Sequence, residues 1–164
     1  MGLDVLTPKG QKSLEYARRA AEIWTKYSGG WTYARTPEES DCPFDAALID
    51  PEGTIRAIVE QKSRDLSKEE LAQFSHQWLV TMDKIVQASQ CARMFRVPLI
   101  GFLYLIPEDT LLTRVIANDK GLFCVPFRCD QTITQQTING GFALRGNAYI
   151  DMSEARVLTG RKSN

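Results

Sequence analysis

The chain has 164 residues, 43% hydrophobic and 24% charged, which suits one globular domain with a substantial core and requires no second one. Lysine plus arginine equal aspartate plus glutamate at 20 each, so no global positive field draws the chain to nucleic acid, and any such contact must come from a local patch. Cys42, Cys91, Cys124 and Cys129 form no CxxC pair and there is one histidine, a poor zinc set that reads as reduced thiols in a cytosolic protein; with a polar opening helix and no run near the ~18 apolar residues of a membrane span, the sequence predicts a soluble cytoplasmic protein.

In chain order, Thr7-Pro8 opens a helix, threonine as cap and proline at the first helical position, with Leu14, Ala17, Ala21 and Trp24 as its apolar stripe and an end near Tyr27, before Gly29-Gly30. Trp31 to Arg35 reads as a short strand and Thr36 to Ser40 as loop. Two strong strands follow at 43–50 and 54–62, joined by the turn residues Asp50-Pro51-Glu52-Gly53 as an antiparallel hairpin. Ser67-Lys68-Glu69-Glu70 is a capping box, and Leu71, Phe74, Trp78, Met82, Ile85, Ser89 and Ala92 predict one long helix behind it, with a break near Thr81. Residues 97–106 are apolar throughout, a strand buried on both faces, and a helical crossover leading into it implies parallel pairing with the hairpin. Further strands are expected at 111–117 and 122–128. Gln131 to Asn147, rich in Thr, Gln, Asn and Gly, fits no element, and residues 161–164 read as a tail.

Asp45, Glu60 and Lys62 stand out because the hairpin can gather them. A four-residue loop pairing Ile49 with Thr54 puts Asp45 opposite Ile58, with Glu60 its diagonal neighbour and Lys62 on the same face. A three-residue loop with a glycine bulge flips that parity unless a second bulge restores it. Two adjacent carboxylates, with the Gln61 main-chain carbonyl as a third ligand, suit a hard cation such as Mg²⁺. A neighbouring ammonium would orient the attacking water and neutralise charge building on a phosphate. The competing reading is a solvated cross-strand ion pair worth about 0–1 kcal/mol. It sits poorly with strands apolar on both faces, as at Phe44, Leu48, Ile49, Ile55, Ile58 and Val59, where a charge is costly unless it is used.

Pro43-Phe44-Asp45, and Glu60-Gln61-Lys62 fifteen residues further on, set in a helix, hairpin, helix, strand order, resemble the PD-(D/E)xK nuclease superfamily over residues 7–106. The resemblance implies an α/β fold, a restriction-endonuclease-like αβββαβ core with a mixed central sheet flanked by helices, plus extra C-terminal strands over 107–160, all in a single domain 1–164. It further implies a metal-dependent DNA endonuclease, Mg²⁺ its cofactor with Mn²⁺ able to substitute. Asp45 and Glu60 would hold the metal, and Lys62 would stand beside the water. Many members carry a glutamate on the first helix, for which Glu15 is the candidate; its alternative is an i,i+4 pair with Arg19. Phe44 separates Pro43 from Asp45, leaving Asp41 as a rival ligand. The compact size looks most like the small resolvase-type or phage nucleases, implying action in phage or bacterial recombination, repair or processing, as on branched DNA. The alternative is a catalytically inactive nuclease-fold module that binds nucleic acid or protein.

Around these residues, Gln73, Gln77 and Lys84 lie off the long helix's stripe, near a DNA strand or simply solvated. Arg18, Arg19, Arg64, Arg93 and Arg96 are candidates for a phosphate-binding rim. Trp31 and Tyr33 serve either as base-stacking platforms or as apolar anchors. His76 has no nucleophile partner and reads as structural or exposed. Residues 132–141 suit either sugar–phosphate contacts or an edge hairpin. One small domain offers little surface to encircle a duplex, so a homodimer acting on two strands is expected.

Overall fold

Helix α1 spans Pro8–Tyr27. Thr7 caps it, its side chain accepting from the Gly10 amide at 3.1 Å, and beyond it Gly29 and Gly30 take the positive φ values, 68° and 95°, that turn the chain out of the helix. The structure is a computed structural model describing residues 6–38, 40–133 and 141–161. Strand β1 (Thr32–Arg35) follows, then β2 (Ala46–Ile49) and β3 (Ile55–Arg64), antiparallel in series. Strand β5 (Leu99–Leu105) pairs with β3 in parallel; β6 (Thr110–Ala117) and β9 (Arg156–Thr159) extend the sheet antiparallel beyond it, giving the order β1-β2-β3-β5-β6-β9. The crossover that brings β5 parallel to β3 ends in helix α3 (Met82–Phe95). Arg96 closes α3 in the left-handed conformation, just before Pro98.

Side-chain alternation splits the core into two layers. Ala46, Leu48, Ala57, Val59, Phe102 and Tyr104 pack with Ala20 and Ile23 of α1. On the opposite face, Ala47, Ile58, Leu99 and Leu103 pack with Ile85, Ala88 and Ala92 of α3. The protein is thus mixed α/β, a mixed six-stranded sheet with flanking helices. No described helix is long and apolar enough to cross a membrane, and the four cysteines are free.

Two expectations fail. The long helix over 68–92 does not form. The Ser67 capping box is present but starts a six-residue helix, α2 (Lys68–Gln73), after which Ser75 and His76 take φ values of 57° and 56°. Strand β4 (Gln77–Thr81) intervenes before α3. Trp78 and Val80 are buried while Leu79 between them is exposed, a period of two that the three-and-four stripe masked because Trp78 satisfies both patterns. The strand expected at 122–128 lies later, as β7 (Phe127–Ile133), leaving only an Ala117–Phe123 bridge behind. Strands β4, β8 (Leu144–Asp151) and β7 form a second sheet, in the order β4-β8-β7. Of the polar segment 131–147, which fits no element by sequence, residues 131–133 close β7 and 144–147 open β8, while 134–140, and 162–164 of the tail, lie outside the described residues.

Candidate functional site

The hairpin reaches its geometry by the less direct of the two routes. The Asp50 amide donates to Thr54 O at 2.9 Å, leaving Pro51-Glu52-Gly53 as a three-residue loop with Gly53 at φ 85°. The Asp50 carboxylate holds the loop by accepting from the amides of Glu52 and Thr54 and from Arg56 Nε, which keeps it below the usual carboxylate range, the Thr54 bond contributing most. That loop alone would have flipped the parity. Between the pairs Leu48–Ala57 and Ile49–Ile55, however, Arg56 is unmatched, a bulge that restores it. The resulting register, Ala46 opposite Val59, sets Asp45 beside Glu60 rather than beside Ile58.

Asp45 is fixed from both sides. Its amide donates to Val59 O at 2.9 Å, and its carbonyl accepts from the Thr36 amide and hydroxyl at 2.9 and 3.0 Å. Its Oδ2 accepts from the Gln61 amide at 2.7 Å, so a side chain takes the position that β2 main chain would occupy had pairing continued. Strands β2 and β3 therefore part at Asp45, and the Gln61 carbonyl, on the same edge as its amide, faces that opening. Asp41, the rival ligand, is exposed in the preceding loop.

Glu60 is 1% exposed. Its neighbour on β5 is Gly101, where a Cβ would lie 2.6 Å from both Trp78 Cζ3 and Ile116 Cδ1, so indole and isoleucine close over the glycine and wall Glu60 with apolar atoms. Burial, and then the Asp45 charge, push the Glu60 carboxyl up to about 7, against the pull of Lys62 and Lys84. Lys62 Nζ stands 4.0 Å from Glu60 Oε1 and is 30% exposed. Its pKa is lowered, first by burial and also by Lys84 and Arg64, while Glu60 and Asp45 oppose the shift. Among the described residues, two buried side-chain polar atoms lack a hydrogen-bond partner, Glu60 Oε1 and Trp78 Nε1.

Asp45, Glu60 and Lys62 are therefore together on the α3 face, with Lys84 of the first turn of α3 acting electrostatically on them. Glu15 is not with them. It is exposed on α1, which packs on the other face of the sheet, because Ala20 and Ile23 set the buried stripe of that helix. The arginine rim does not assemble either. Arg19 is bound to Asp109 and Glu22, and Arg93 and Arg96 lie at the far end of α3 from Lys84. Tyr33 packs on Trp24 and Phe102, and Trp31 on Trp24, as anchors. His76 is exposed, its carbonyl accepting from Met152. Gln73, Gln77 and Lys84 fall on three different elements. Sequence reasoning missed Gly101 and Trp78 as the wall behind Glu60; the glycine inside an otherwise unbroken apolar strand was the available signal.

The donor set fits a hard divalent cation. A buried carboxylate oxygen without a hydrogen bond, a second carboxylate beside it and a main-chain carbonyl at the strand opening are oxygen ligands of the right type. No group of three His, Cys, Asp or Glu side chains converges among the described residues, so the protein would supply at most two side-chain ligands here and leave positions for water and phosphate. No known protein-family model matches the chain, and no curated protein matches it.

Proposed function

We propose that the chain is an Mg²⁺- or Mn²⁺-dependent deoxyribonuclease of the PD-(D/E)xK type, hydrolysing DNA phosphodiester bonds at Asp45, Glu60 and Lys62. What carries the reading is Glu60, a carboxylate 1% exposed whose Oε1 accepts no hydrogen bond, beside Asp45 and 4.0 Å from the Lys62 ammonium. A burial this costly is sustained where the charge is used. Asp45 and Glu60, with the Gln61 carbonyl, would hold the cation, which when bound supplies Lewis-acid polarisation of a phosphate oxygen and acidifies a water. Lys62, its pKa lowered chiefly by burial, is suited to hold and orient that water and to give up a proton more readily than an ordinary lysine. The fixed backbone of Asp45 keeps the carboxylates aligned without reorganisation.

The restriction-endonuclease-like core is part of the proposal. The order α1-β1-β2-β3, then a crossover ending in α3, then β5 parallel to β3 supports it, with α2 and β4 as an insertion. Glu15 is left out of the machinery, and Lys84 takes the place of a further charged group near it. Two copies acting on two strands belong to the same reading, as does an intracellular site of action in a bacterial or phage-infected cell.

The test is cleavage of labelled duplex, single-stranded, flapped and four-way-junction DNA in Mg²⁺, Mn²⁺ or EDTA. Asp45→Asn and Lys62→Ala should each lower the rate at least about 10²- to 10³-fold while leaving the circular dichroism spectrum unchanged. Binding of DNA in chelator with no cutting in any metal by folded wild-type protein would reject the enzyme in favour of a noncatalytic nuclease-fold module.

A further inference from the structure

A cavity of about 430 Å³ opens between the main sheet and the second sheet, beside the candidate site. It is continuous with that site through β3. Glu60, Lys62 and Arg64 alternate onto one face, about 7 Å apart at each step, and Arg64 lines the cavity, as does Leu103, the β5 partner of Lys62. The floor is apolar, with Leu71 and Trp78 among its residues. Phe74, 65% exposed at the end of α2, stands at the rim as an aromatic face without cover. Across the cavity Arg128 stacks its guanidinium 3.9 Å above the ring of Tyr149.

The charge of the lining is one-sided. Two arginines line the cavity and no aspartate or glutamate does. Arg64 donates to two main-chain carbonyls, Ser63 O and Leu79 O, and among the described residues it has no carboxylate within ion-pair distance; Arg128 is ion-paired with Asp130 at 3.6 Å and donates to Gln77 Oε1 at 3.5 Å, both contacts exposed to solvent. An apolar floor with aromatic and guanidinium faces takes a flat ring, and two arginines, Arg64 with no carboxylate partner among the described residues and Arg128 paired only with the half-exposed Asp130, take an anion attached to it. A nucleotide satisfies both demands. The base must be unpaired, since one stacked within a duplex cannot enter a concave pocket.

We propose that this cavity is a nucleotide subsite that receives one unpaired base of a DNA strand, its phosphate held by Arg64 and Arg128, adjacent to the bond presented to Lys62. The adjacency rests on the nuclease reading above; the pocket's chemistry does not. The subsite makes unpaired nucleotides, at ends, flaps or junctions, the preferred substrate over continuous duplex.

The experiment uses the full chain and a fluorescein-labelled single-stranded oligonucleotide, with anisotropy read in EDTA, together with the same sequence carrying one 2-aminopurine, whose emission reports a base leaving its stack. Phe74→Ala, an exposed position, should weaken binding about 5- to 150-fold, the range of a lost base–aromatic stack, and abolish the 2-aminopurine response. Arg128→Gln should flatten the slope of log affinity against log salt by about 0.7, one phosphate contact to a single strand. Wild-type cleavage of DNA in Mg²⁺ with both variants binding and cutting as the wild type does would overturn the subsite and leave the nuclease standing. Pocket-dependent binding with no cleavage in any metal would sustain the subsite and overturn the nuclease. A wild-type chain that binds no oligonucleotide overturns the subsite, and the nuclease then stands or falls on cleavage of the DNA panel in Mg²⁺ or Mn²⁺.

Discussion

Glu60→Gln should make this protein more stable at alkaline pH, and the size of the gain follows from the geometry. The wild-type carboxylate is 1% exposed, with one oxygen lacking a hydrogen bond, and burial with the Asp45 charge raises its pKa from 4.5 to about 7. The sign runs opposite to a salt-bridged acid. Between pH 4.5 and 7 the folded protein retains a proton that the unfolded chain has lost, so stability falls as pH rises through that window and is flat on either side. A shift of this size, at 1.36 kcal/mol per pH unit, makes the full penalty about 3 kcal/mol above pH 7. Glutamine keeps the shape and removes the charge. In EDTA the variant should match the wild type near pH 4.5 within about 1 kcal/mol and exceed it by about 3 kcal/mol at pH 8, while losing cleavage. For a chain of this length that gain is a rise in Tm of about 6–12 °C. Urea unfolding followed by tryptophan fluorescence from pH 4.5 to 8.5 measures it directly. A Glu60→Gln protein less stable than wild type at pH 8, or a difference independent of pH, would refute the claim that burial of this carboxylate outweighs the two lysines that oppose it.

Four further outcomes follow from the same structure. In Lys62→Ala the pH window lost by Glu60 should move upward, and by less in Lys84→Ala, because Lys62 is the stronger of the two cations holding that carboxyl down; paired urea titrations of Glu60→Gln in each background read the order. Mg²⁺ affinity measured by calorimetry should rise about tenfold from pH 6 to 8 as Glu60 ionises, since only the deprotonated carboxylate is a ligand. Gly101→Ala should cost about 1–3 kcal/mol in urea unfolding by driving a methyl into Trp78 and Ile116. Asp109→Asn should cost about 1–2 kcal/mol at pH 7 by weakening the bonds from Arg19 and Tyr104. That cost should shrink as pH falls below the usual aspartate range, because the folded-state pKa of Asp109 is depressed, chiefly by Arg19.

What could be seen in the chain beforehand was what its local chemistry decides alone. Thr7-Pro8 and Gly29-Gly30 bracket α1, and residues 97–106 are too apolar to be anything but a buried strand. The segment after Ser67 predicts a helix because Phe74, Trp78 and Met82 satisfy a helical spacing, while the outcome lies in main-chain conformation. Ser75 and His76 turn left-handed there, and neither residue type advertises it. The second sheet was hidden for a different reason. Strands β7 and β8 are largely exposed and polar along most of their length, with only Ala148 and Ile150 of β8 and none of β7 buried, so the alternation that marks a half-buried strand barely registers. With that sheet unseen, Arg128 and Tyr149 had no site to belong to.

The gathering of Asp45, Glu60 and Lys62 depended on parity, and the order of residues alone did not fix parity. The three-residue loop and the bulge at Arg56 each shift the register by one, and only their sum keeps the three side chains on the α3 face. Either shift alone would turn Glu60 and Lys62 into the layer that α1 covers, or carry Asp45 away from them. The loop is held by the carboxylate of Asp50, which also binds Arg56, the unmatched residue, so one buried side chain stabilises both irregularities at once. Placing the correction at the loop end of the hairpin leaves β3 regular from Ile58 to Arg64 along β5, where the Glu60, Lys62 and Arg64 spacing has to be uniform. The two strands then part only at Asp45, where Gln61 needs its main chain uncovered.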